Sequence, residues 1–283
     1  KDLQNLKKES LKNNLKDFLP QAEKYKSLLK IKTDVKVEKK IDSLALKSIN
    51  VVELEKLFVE FELKKALEAL PNGNTIHTLN QLKKADKTNY NLVLTEHELF
   101  KIIEKIKNTK FFCFDTETTG LNPISAKLVG LSIGFESDTY YIPFQHTDFD
   151  KNLDLKDTLA LLKDCFESDT IKKTGQNLKY DCHILLNYGL KVSGIIDDSL
   201  LQSYIIDSTQ KHNLDSLAAK YLNIDTVKYD EITGKGSKKI SFADVDIKIA
   251  KDYSCEDADI TYKLTKHLNE ILKKENDLNS VYR

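Results

Sequence analysis

The sequence predicts an α/β domain, in which a mixed β-sheet is flanked by helices, preceded by a small helical segment. Two observations lead to this prediction. From residue 91 to 283, short strand-like segments alternate with segments whose apolar residues recur at helical spacing. Residues 1–70 carry two helical stretches, and residues 71–90 are polar, rich in turn-forming residues and without period. We therefore divide the chain into a helical segment (1–70), a linker (71–90) and an α/β domain (91–283).

The helical segment begins with a Lys-rich amphipathic stretch over residues 1–30, where Leu11 and Leu15 are among the apolar residues at helical spacing. Because proline disrupts the interior of a helix, we expect this helix to stop at Pro20. A second helix is expected over residues 51–70.

The α/β domain begins with a short strand, residues 91–94, and a helix whose N-terminus carries a capping box of Thr95 and Glu98. The other predicted elements follow in chain order. They are a strand over 110–117, a hairpin of strands 127–135 and 139–144, a helix over 154–168, a strand over 170–175, and helices over about 178–188, 198–207, 213–222 and 246–273.

The composition is that of a soluble globular protein, with 40% hydrophobic and 31% charged residues. No run approaches the roughly 18 consecutive apolar residues of a membrane span, so we expect no membrane contact and a cytoplasmic location. The first residues, KDLQNLKKES, are neither a signal peptide nor preceded by Met, and we expect a fragment of a longer polypeptide. The four cysteines form no C-x-x-C pair and the six histidines no H-x₃-H pair, which argues against disulfides and zinc.

Charge is unevenly distributed, although 44 basic and 44 acidic residues cancel overall. Residues 1–90 hold 19 Lys against 13 acids, whereas residues 91–283 hold 25 basic residues against 31 acids. A basic arm fits a nucleic-acid partner, but solvated helix faces account for it equally well. The acidic second half would bind DNA poorly unless some of its carboxylates hold cations.

The segment FDTETTGL, residues 114–121, places two acids at the end of an apolar strand. Asp115 and Glu117 are two positions apart, so a strand directs both to one face, about 7 Å apart along the backbone. Neighbouring carboxylates raise each other's pKa unless a cation lies between them, and Mg²⁺ accepts such ligands. For the D-x-E pattern alone, a solvated strand end is an adequate explanation.

Two further segments carry acids at helix positions. In GQNLKYD, residues 175–181, Asn177 suits a helix N-cap and Asp181 falls in the first turn, where the helix dipole favours a carboxylate. In YSCEDAD, residues 253–259, Tyr253 and Asp257 share one helix face. Glu256 and Asp259 point elsewhere around the helix, and an acidic exposed face is the alternative explanation.

In this order and spacing, the three segments resemble the exo I, exo II and exo III motifs of the proofreading exonuclease superfamily. The resemblance is greatest to the 3′–5′ exonuclease domain of bacterial family A DNA polymerases, the DNA polymerase I family, and covers about residues 91–283. It also includes LVGLSIGF, NYGL and YDEITGKGSKKISF. The resemblance implies an RNase H-like fold and a 3′–5′ exodeoxyribonuclease that serves DNA replication and repair by proofreading.

By this resemblance Asp115, Glu117, Asp181 and Asp257 hold two divalent ions, Mg²⁺ or Mn²⁺. Asp115 would bridge both ions, with Glu117 and Asp257 completing one site and Asp181 supporting the other. The Tyr253 hydroxyl would orient the attacking water. This sequence has an acidic residue at each of the four positions where the family has its metal ligands, so we expect an active enzyme.

The resemblance also suggests contacts to the substrate strand. Thr118 and Leu121 lie in the loop that holds the terminal nucleotide, and Leu121 either wedges against the last base or packs in the core. Asn177 and Tyr180 flank Asp181, and Tyr180 is expected to stack on a base. Three lysines of the GKGSKK segment are candidates for phosphate contacts, with an ordinary solvated loop equally possible; they are Lys235, Lys238 and Lys239.

Residues 1–70 resemble the C-terminal part of the 5′-nuclease domain of the same family, and the segments IKTDVKV and VEFELKKAL carry this resemblance. The segment NDLNSVYR lies about where the polymerase domain should start. The implied partners are single-stranded or frayed 3′ DNA ends and the polymerase domain of the same full-length chain, in a monomeric, nucleoid-associated bacterial protein. Two alternatives stay open: a stand-alone exoribonuclease with the same acids, and a non-catalytic scaffold with an exonuclease fold.

Overall fold

A computed structural model describes residues 8–36, 49–61, 63, 66, 70, 82–87 and 89–283. The chain divides into two compact units, residues 1–74 and 75–283. Among the helices of the described ranges, none has the length and apolar character needed to cross a bilayer.

The first unit contains two described helices, α1 (Glu9–Leu29) and α2 (Val51–Glu60). The prediction that the first helix stops at Pro20 is wrong, because Pro20 lies inside α1. Proline removes one backbone hydrogen bond and costs about 3 kcal/mol in a helix interior, but its φ near −65° remains helical. Most of the predicted continuation of α2 to residue 70 lies outside the described residues.

The second unit is the predicted α/β domain. Its strands are β1 (Lys83–Lys84), β2 (Tyr90–Leu92), β3 (Phe111–Thr118), β4 (Leu128–Gly134), β5 (Thr139–Pro143), β6 (Lys172–Gly175), β7 (Ile195–Asp198) and β8 (Ile224–Asp225). Its helices are α3 (Glu96–Thr109), α4 (Leu155–Phe166), α5 (Leu178–Asn187), α6 (Ser199–Ile206), α7 (Leu214–Leu217), α8 (Tyr229–Thr233), α9 (Ile247–Lys274) and α10 (Asn276–Tyr282). A π-helical turn, Ala218–Leu222, continues α7, and 3₁₀ turns occupy Gly236–Lys238 and Phe242–Asp244.

Six strands form one mixed sheet in the order β2-β5-β4-β3-β6-β7. The β3-β4 and β4-β5 pairs are antiparallel, and the β2-β5, β3-β6 and β6-β7 pairs are parallel. The predicted α/β class, the 127–144 hairpin and the capping box of Thr95 and Glu98 are confirmed. The structure differs in the predicted linker, where β1 pairs with β8 and Tyr90 starts β2, because pairing with distant strands is not visible in local sequence.

The main core lies between the sheet and helices α3, α4 and α5, and is rich in aromatic rings. Phe112 and Phe114 of β3 both meet Phe166 of α4 edge to face, with ring centroids 5.2 and 5.1 Å apart. Such contacts fix β3 within the fold. The centre of the sheet is therefore rigid at the strand whose last residues carry Asp115 and Glu117.

Candidate active site

The four predicted carboxylates reach one region from three elements. Asp115 and Glu117 lie near the end of β3, Asp181 in the first turn of α5, and Asp257 in the second half of the exo III segment on α9. Helix α9 packs against β2, β3, β4 and β5, which brings its carboxylate to the centre of the sheet.

Three of these carboxylates form a compact cluster. One oxygen from each of Asp115, Glu117 and Asp257 lies within 4.8 Å of the other two. Among the residues that the structure describes, this is the only group of three or more such side chains with metal-ligand spacing. The carboxylates of the first motif, on β3, and of the third motif, on α9, therefore come together at one point, as the sequence predicts.

Asp181 lies beside this cluster and is tied to β3. Its Oδ1 accepts hydrogen bonds from the Thr116 backbone N–H at 2.9 Å and from the Thr116 hydroxyl at 2.5 Å. Only 3% of Asp181 is exposed. Its pKa is raised well above the ordinary value by burial first and by the Asp115 charge second. The second of these causes places Asp181 within electrostatic reach of the cluster.

Burial also dominates the electrostatics of the cluster itself. It raises the pKa of Asp115 to about 8, with repulsion from Asp257 as the second cause. Burial likewise raises the pKa of Asp257 to about 8 and that of Glu117 well above its usual range. Within residues 89–283, no lysine or arginine forms an ion pair with these carboxylates. Closely spaced acids without a counter-charge suit a divalent cation, which removes the repulsion.

Tyr253 lies one turn before Asp257 on α9 and is partly buried. Its hydroxyl lies near the Asp257 carboxylate and lowers the pKa of that acid, against the larger effect of burial. The pKa of Tyr253 is raised far above 10 by burial and by the charge of Asp257. The tyrosine hydroxyl is therefore a proton donor at the edge of the cluster.

The other two acids of this segment face away from the cluster, as the helical spacing predicts. Glu256 accepts a hydrogen bond from the Val227 backbone N–H at 2.6 Å and pairs with Lys87 at 3.1 Å. Asp259 accepts one from the Tyr90 hydroxyl at 3.0 Å. Because both acids are buried, the alternative of an acidic exposed helix face is wrong. Glu256 is paired with a lysine distant in sequence, whereas Asp259 is also paired with Lys263, one turn later on the same helix, at 2.7 Å.

The loop after β3 presents an exposed apolar side chain. Leu121 is 95% exposed, so the alternative that it packs in the core is wrong. Tyr180 holds this loop: its hydroxyl donates to the Gly120 carbonyl oxygen at 2.5 Å and lies 2.6 Å from the Thr118 hydroxyl oxygen. These bonds give Tyr180 a structural role beside the predicted stacking.

Asn177 occupies the N-cap position of α5, but its side chain makes no capping bond. Its backbone is left-handed, with φ of 59° and ψ of 42°, a conformation that Asn tolerates better than most residues. The buried carboxylate of Asp198 instead accepts from the backbone N–H groups of Asn177 and Leu178 at 3.1 and 2.8 Å. The predicted N-cap position is therefore confirmed, but Asp198 supplies the capping bonds, and the exposed Asn177 side chain is left available at the site.

The three lysines of GKGSKK are exposed. Lys239 lies 3.5 Å from Asp230 and 4.9 Å from the centre of the Tyr229 ring. Lys235 directly precedes the 3₁₀ turn after α8, and Lys238 is the last residue of that turn.

The structure places three further residues at the site that the sequence analysis did not predict. Thr116 holds Asp181, and Ser254 donates a hydrogen bond to Glu117 Oε1 at 2.8 Å. Tyr229 contacts Tyr253 edge to face, with ring centroids 6.1 Å apart, and Glu117 contributes to its raised pKa. Thr116 lies between the two acids of the first motif and Ser254 follows Tyr253 in the third, so their position inside the motifs was the available signal.

Comparison with protein families gives one match over most of the chain. A family model described as 3′–5′ exonuclease matches residues 90–273. DNA polymerase I of Pseudomonas aeruginosa is 33% identical over 251 residues, which are 84% of this chain and 27% of that protein. DNA polymerase I of Borreliella burgdorferi is 31% identical over 270 residues, 94% of this chain and 27% of that protein. The chain spans about a quarter of the length of the curated relatives it matches.

Solved structures support the same fold at low sequence identity. The exonuclease domain of Nibbler from Aedes aegypti superposes with a TM-score of 0.53 at 14% identity, covering 71% of this chain and 99% of that one. The catalytic core of RRP6 from Trypanosoma brucei gives a TM-score of 0.53 at 14% identity, covering 77% of this chain and 57% of that one. At these identities the similarity concerns the fold, which is RNase H-like, as the sequence predicts.

Proposed function

Because this chain belongs to the 3′–5′ exonuclease family found in DNA polymerase I, we propose that it removes nucleotides from the 3′ end of DNA by two-metal hydrolysis. The observation that carries this proposal is the convergence of Asp115, Glu117 and Asp257 within 4.8 Å. A scaffold without catalysis would have no need to keep these acids together, since their repulsion opposes folding.

Each acid and Tyr253 has a separate role in this proposal. Asp115, Glu117 and Asp257 would hold one cation, and Asp181, beside Asp115, would support a second. When bound, the cations would lower the pKa of the attacking water and stabilise the leaving 3′ oxygen. Tyr253 keeps its proton at any working pH because its pKa is raised, so its hydroxyl can orient that water.

The substrate strand would lie across the loop after β3. Leu121 stands exposed there and can wedge against the terminal base, while Thr118 and Tyr180 shape the loop beneath it. The exposed side chains of Asn177, Lys235, Lys238 and Lys239 are candidates for contacts along the strand.

The biological setting belongs to the same proposal. The relatives that this chain matches are DNA polymerase I proteins about four times its length, which supports proofreading beside a polymerase domain of the same polypeptide. Residues 1–70 would be the end of a 5′-nuclease domain, since the Borreliella match extends over 94% of the chain. We propose that the full-length protein is a monomer that acts on chromosomal DNA in a bacterial cytoplasm, in replication and repair.

Digestion of matched DNA and RNA oligomers, each with a single 3′ label, tests the substrate and the direction together. We expect DNA to lose mononucleotides stepwise from the 3′ end with Mg²⁺ or Mn²⁺ and to stay intact in EDTA. Preference for RNA would favour the exoribonuclease alternative, and metal-independent or internal cleavage would contradict the proposal.

A further inference from the structure

A buried hydroxyl holds one oxygen of Glu117. Only 6% of Glu117 is exposed, and Ser254 Oγ donates to its Oε1 at 2.8 Å. A serine inside a helix commonly returns its hydrogen to the carbonyl four residues earlier, which here is that of Ala250. Ser254 crosses from α9 to β3 instead. In the described part of the chain it is the only hydrogen-bond donor to this carboxylate, and Glu117 Oε2 has no protein partner.

Further polar groups lie behind this contact. The Tyr141 hydroxyl is 2.7 Å from His146 Nε2 and close enough to Ser254 to interact with it. Tyr141 lies across Gly130, the residue opposite Glu117 in the β3-β4 pair. A Cβ atom at Gly130 would come within 2.1 Å of the Tyr141 hydroxyl oxygen, so only glycine admits the ring there. Ser254 and Tyr141 are fully buried and His146 is 5% exposed.

We propose that Ser254 is a positioning residue for Glu117. Fixing Oε1 selects one rotamer of the glutamate and leaves Oε2 free for a cation beside Asp115 and Asp257. Partners of metal ligands of this kind are typically worth 10–100-fold in metal affinity. The inference rests on the proposed function, because it takes Glu117 to be a metal ligand.

Titration of the metal-free 283-residue protein with Mn²⁺ alone tests this assignment without reference to activity. Ser254→Ala removes one buried hydroxyl, and we expect its Mn²⁺ affinity to fall about 10–100-fold. Ser254→Cys keeps the size and a weak donor, so its affinity should be intermediate. Ser203→Ala is the matched control: Ser203 is also a fully buried helical serine, but it bonds Leu200 and His212, away from the cluster.

The outcomes separate the two proposals. If the wild-type protein binds no Mn²⁺, the proposed function fails and this inference fails with it. If the wild type binds and Ser254→Ala binds equally well, Ser254 is not a positioning residue, although the metal site stands. Equal weakening by Ser203→Ala and Ser254→Ala would show a general effect of lost stability, which also overturns the assignment. A Ser254→Ala variant that does not fold leaves Ser254→Cys to decide, and unchanged affinity in that variant counts against the inference.

Discussion

Substitution of Asp257 and substitution of Tyr253 should have different effects on metal binding and on catalysis. Asp257 belongs to the carboxylate cluster, whereas Tyr253 lies beside it, with its hydroxyl near the Asp257 carboxylate. Loss of a ligand removes the alignment of a cation, while loss of a positioning hydroxyl removes one hydrogen bond and leaves the ligands in place. The roles proposed for Asp257 and Tyr253 are therefore separable by substitution, although both residues lie on one helix face.

Single-turnover digestion of a 3′-labelled strand, paired with Mn²⁺ titration, distinguishes these functions. We expect Asp257→Asn to lose nearly all activity and to bind Mn²⁺ more weakly. Tyr253→Phe should keep its Mn²⁺ affinity and be slower by ~10²–10⁴-fold, the usual size of a positioning or general acid–base effect.

The control for this pair must come from the same helix. Asp259 is unsuitable, although its helix face suggests a neutral substitution, because it is buried and bonds Tyr90. Asp252→Asn is preferable, since the Asp252 side chain is 40% exposed and pairs with Lys251. An Asp257→Asn variant as active as Asp252→Asn would remove Asp257 from the ligand set.

Periodicity predicts the acids of the site, but it does not predict the residues that hold them. The i, i+2 spacing of Asp115 and Glu117 on a strand is a local property, and so is the helix face that carries Asp257. The bond from Thr116 to Asp181 joins residues 65 positions apart, and the bond from Ser254 to Glu117 joins residues 137 apart. Such pairs exist only after the sheet and helix have packed.

At the scale of elements, the loop after β3 is the part of the site most exposed to a substrate. Leu121 projects from it with 95% exposure, and Tyr180 ties the loop to α5. An ordered apolar tip beside an acidic site suits the separation of a terminal base from its neighbour.

Substitution of this tip should affect paired ends more than frayed ends, because only paired ends must be opened before cleavage. We expect Leu121→Ala to lower the rate on a fully paired 3′ end several-fold while changing the rate on single-stranded DNA less. Leu201→Ala, at an exposed leucine of α6, serves as the control. Equal losses on both substrates would show that Leu121 does not act in strand separation.

Elements were predicted well where their pattern is local and long. Helix α9 was expected over 246–273 and runs from Ile247 to Lys274, because its apolar spacing persists over many turns. Strands β1 and β8 have two residues each and were missed, since their pairing depends on residues about 140 positions apart. The first helix is predicted, but its end is placed wrongly at Pro20, because the rule that proline ends helices describes a cost and not a prohibition.

At the scale of the whole molecule, the acidic cluster links stability to pH and metal. The pKa values of Asp115 and Asp257 are about 8 in the folded protein and near 4 in an unfolded chain. Between these values the folded protein holds protons that the unfolded chain has released. The contribution of these two acids to the free energy of unfolding therefore falls as pH rises from about 4 to about 8, and it no longer changes at higher pH.

Thermal unfolding in EDTA should show this dependence directly. We expect Tm to fall by several degrees between pH 5 and pH 8, and to fall less with Mg²⁺ because metal binding stabilises the ionised acids. The Asp115→Asn and Asp257→Asn variants should each flatten the profile measured in EDTA. A profile with the same slope in both variants would mean that these acids are not the origin of the pH dependence.

Asp115→Ala tests most directly whether the clustered carboxylates form the catalytic site of a metal-dependent 3′–5′ exonuclease. Digestion of a 3′-labelled DNA strand with Mg²⁺ should fall by more than about 10³-fold, because the proposed bridging ligand serves both cations. Tm in EDTA should be unchanged or higher, because removing Asp115 relieves repulsion in a crowded acidic cluster. An Asp115→Ala protein that is folded and keeps more than about a tenth of wild-type activity would contradict the account.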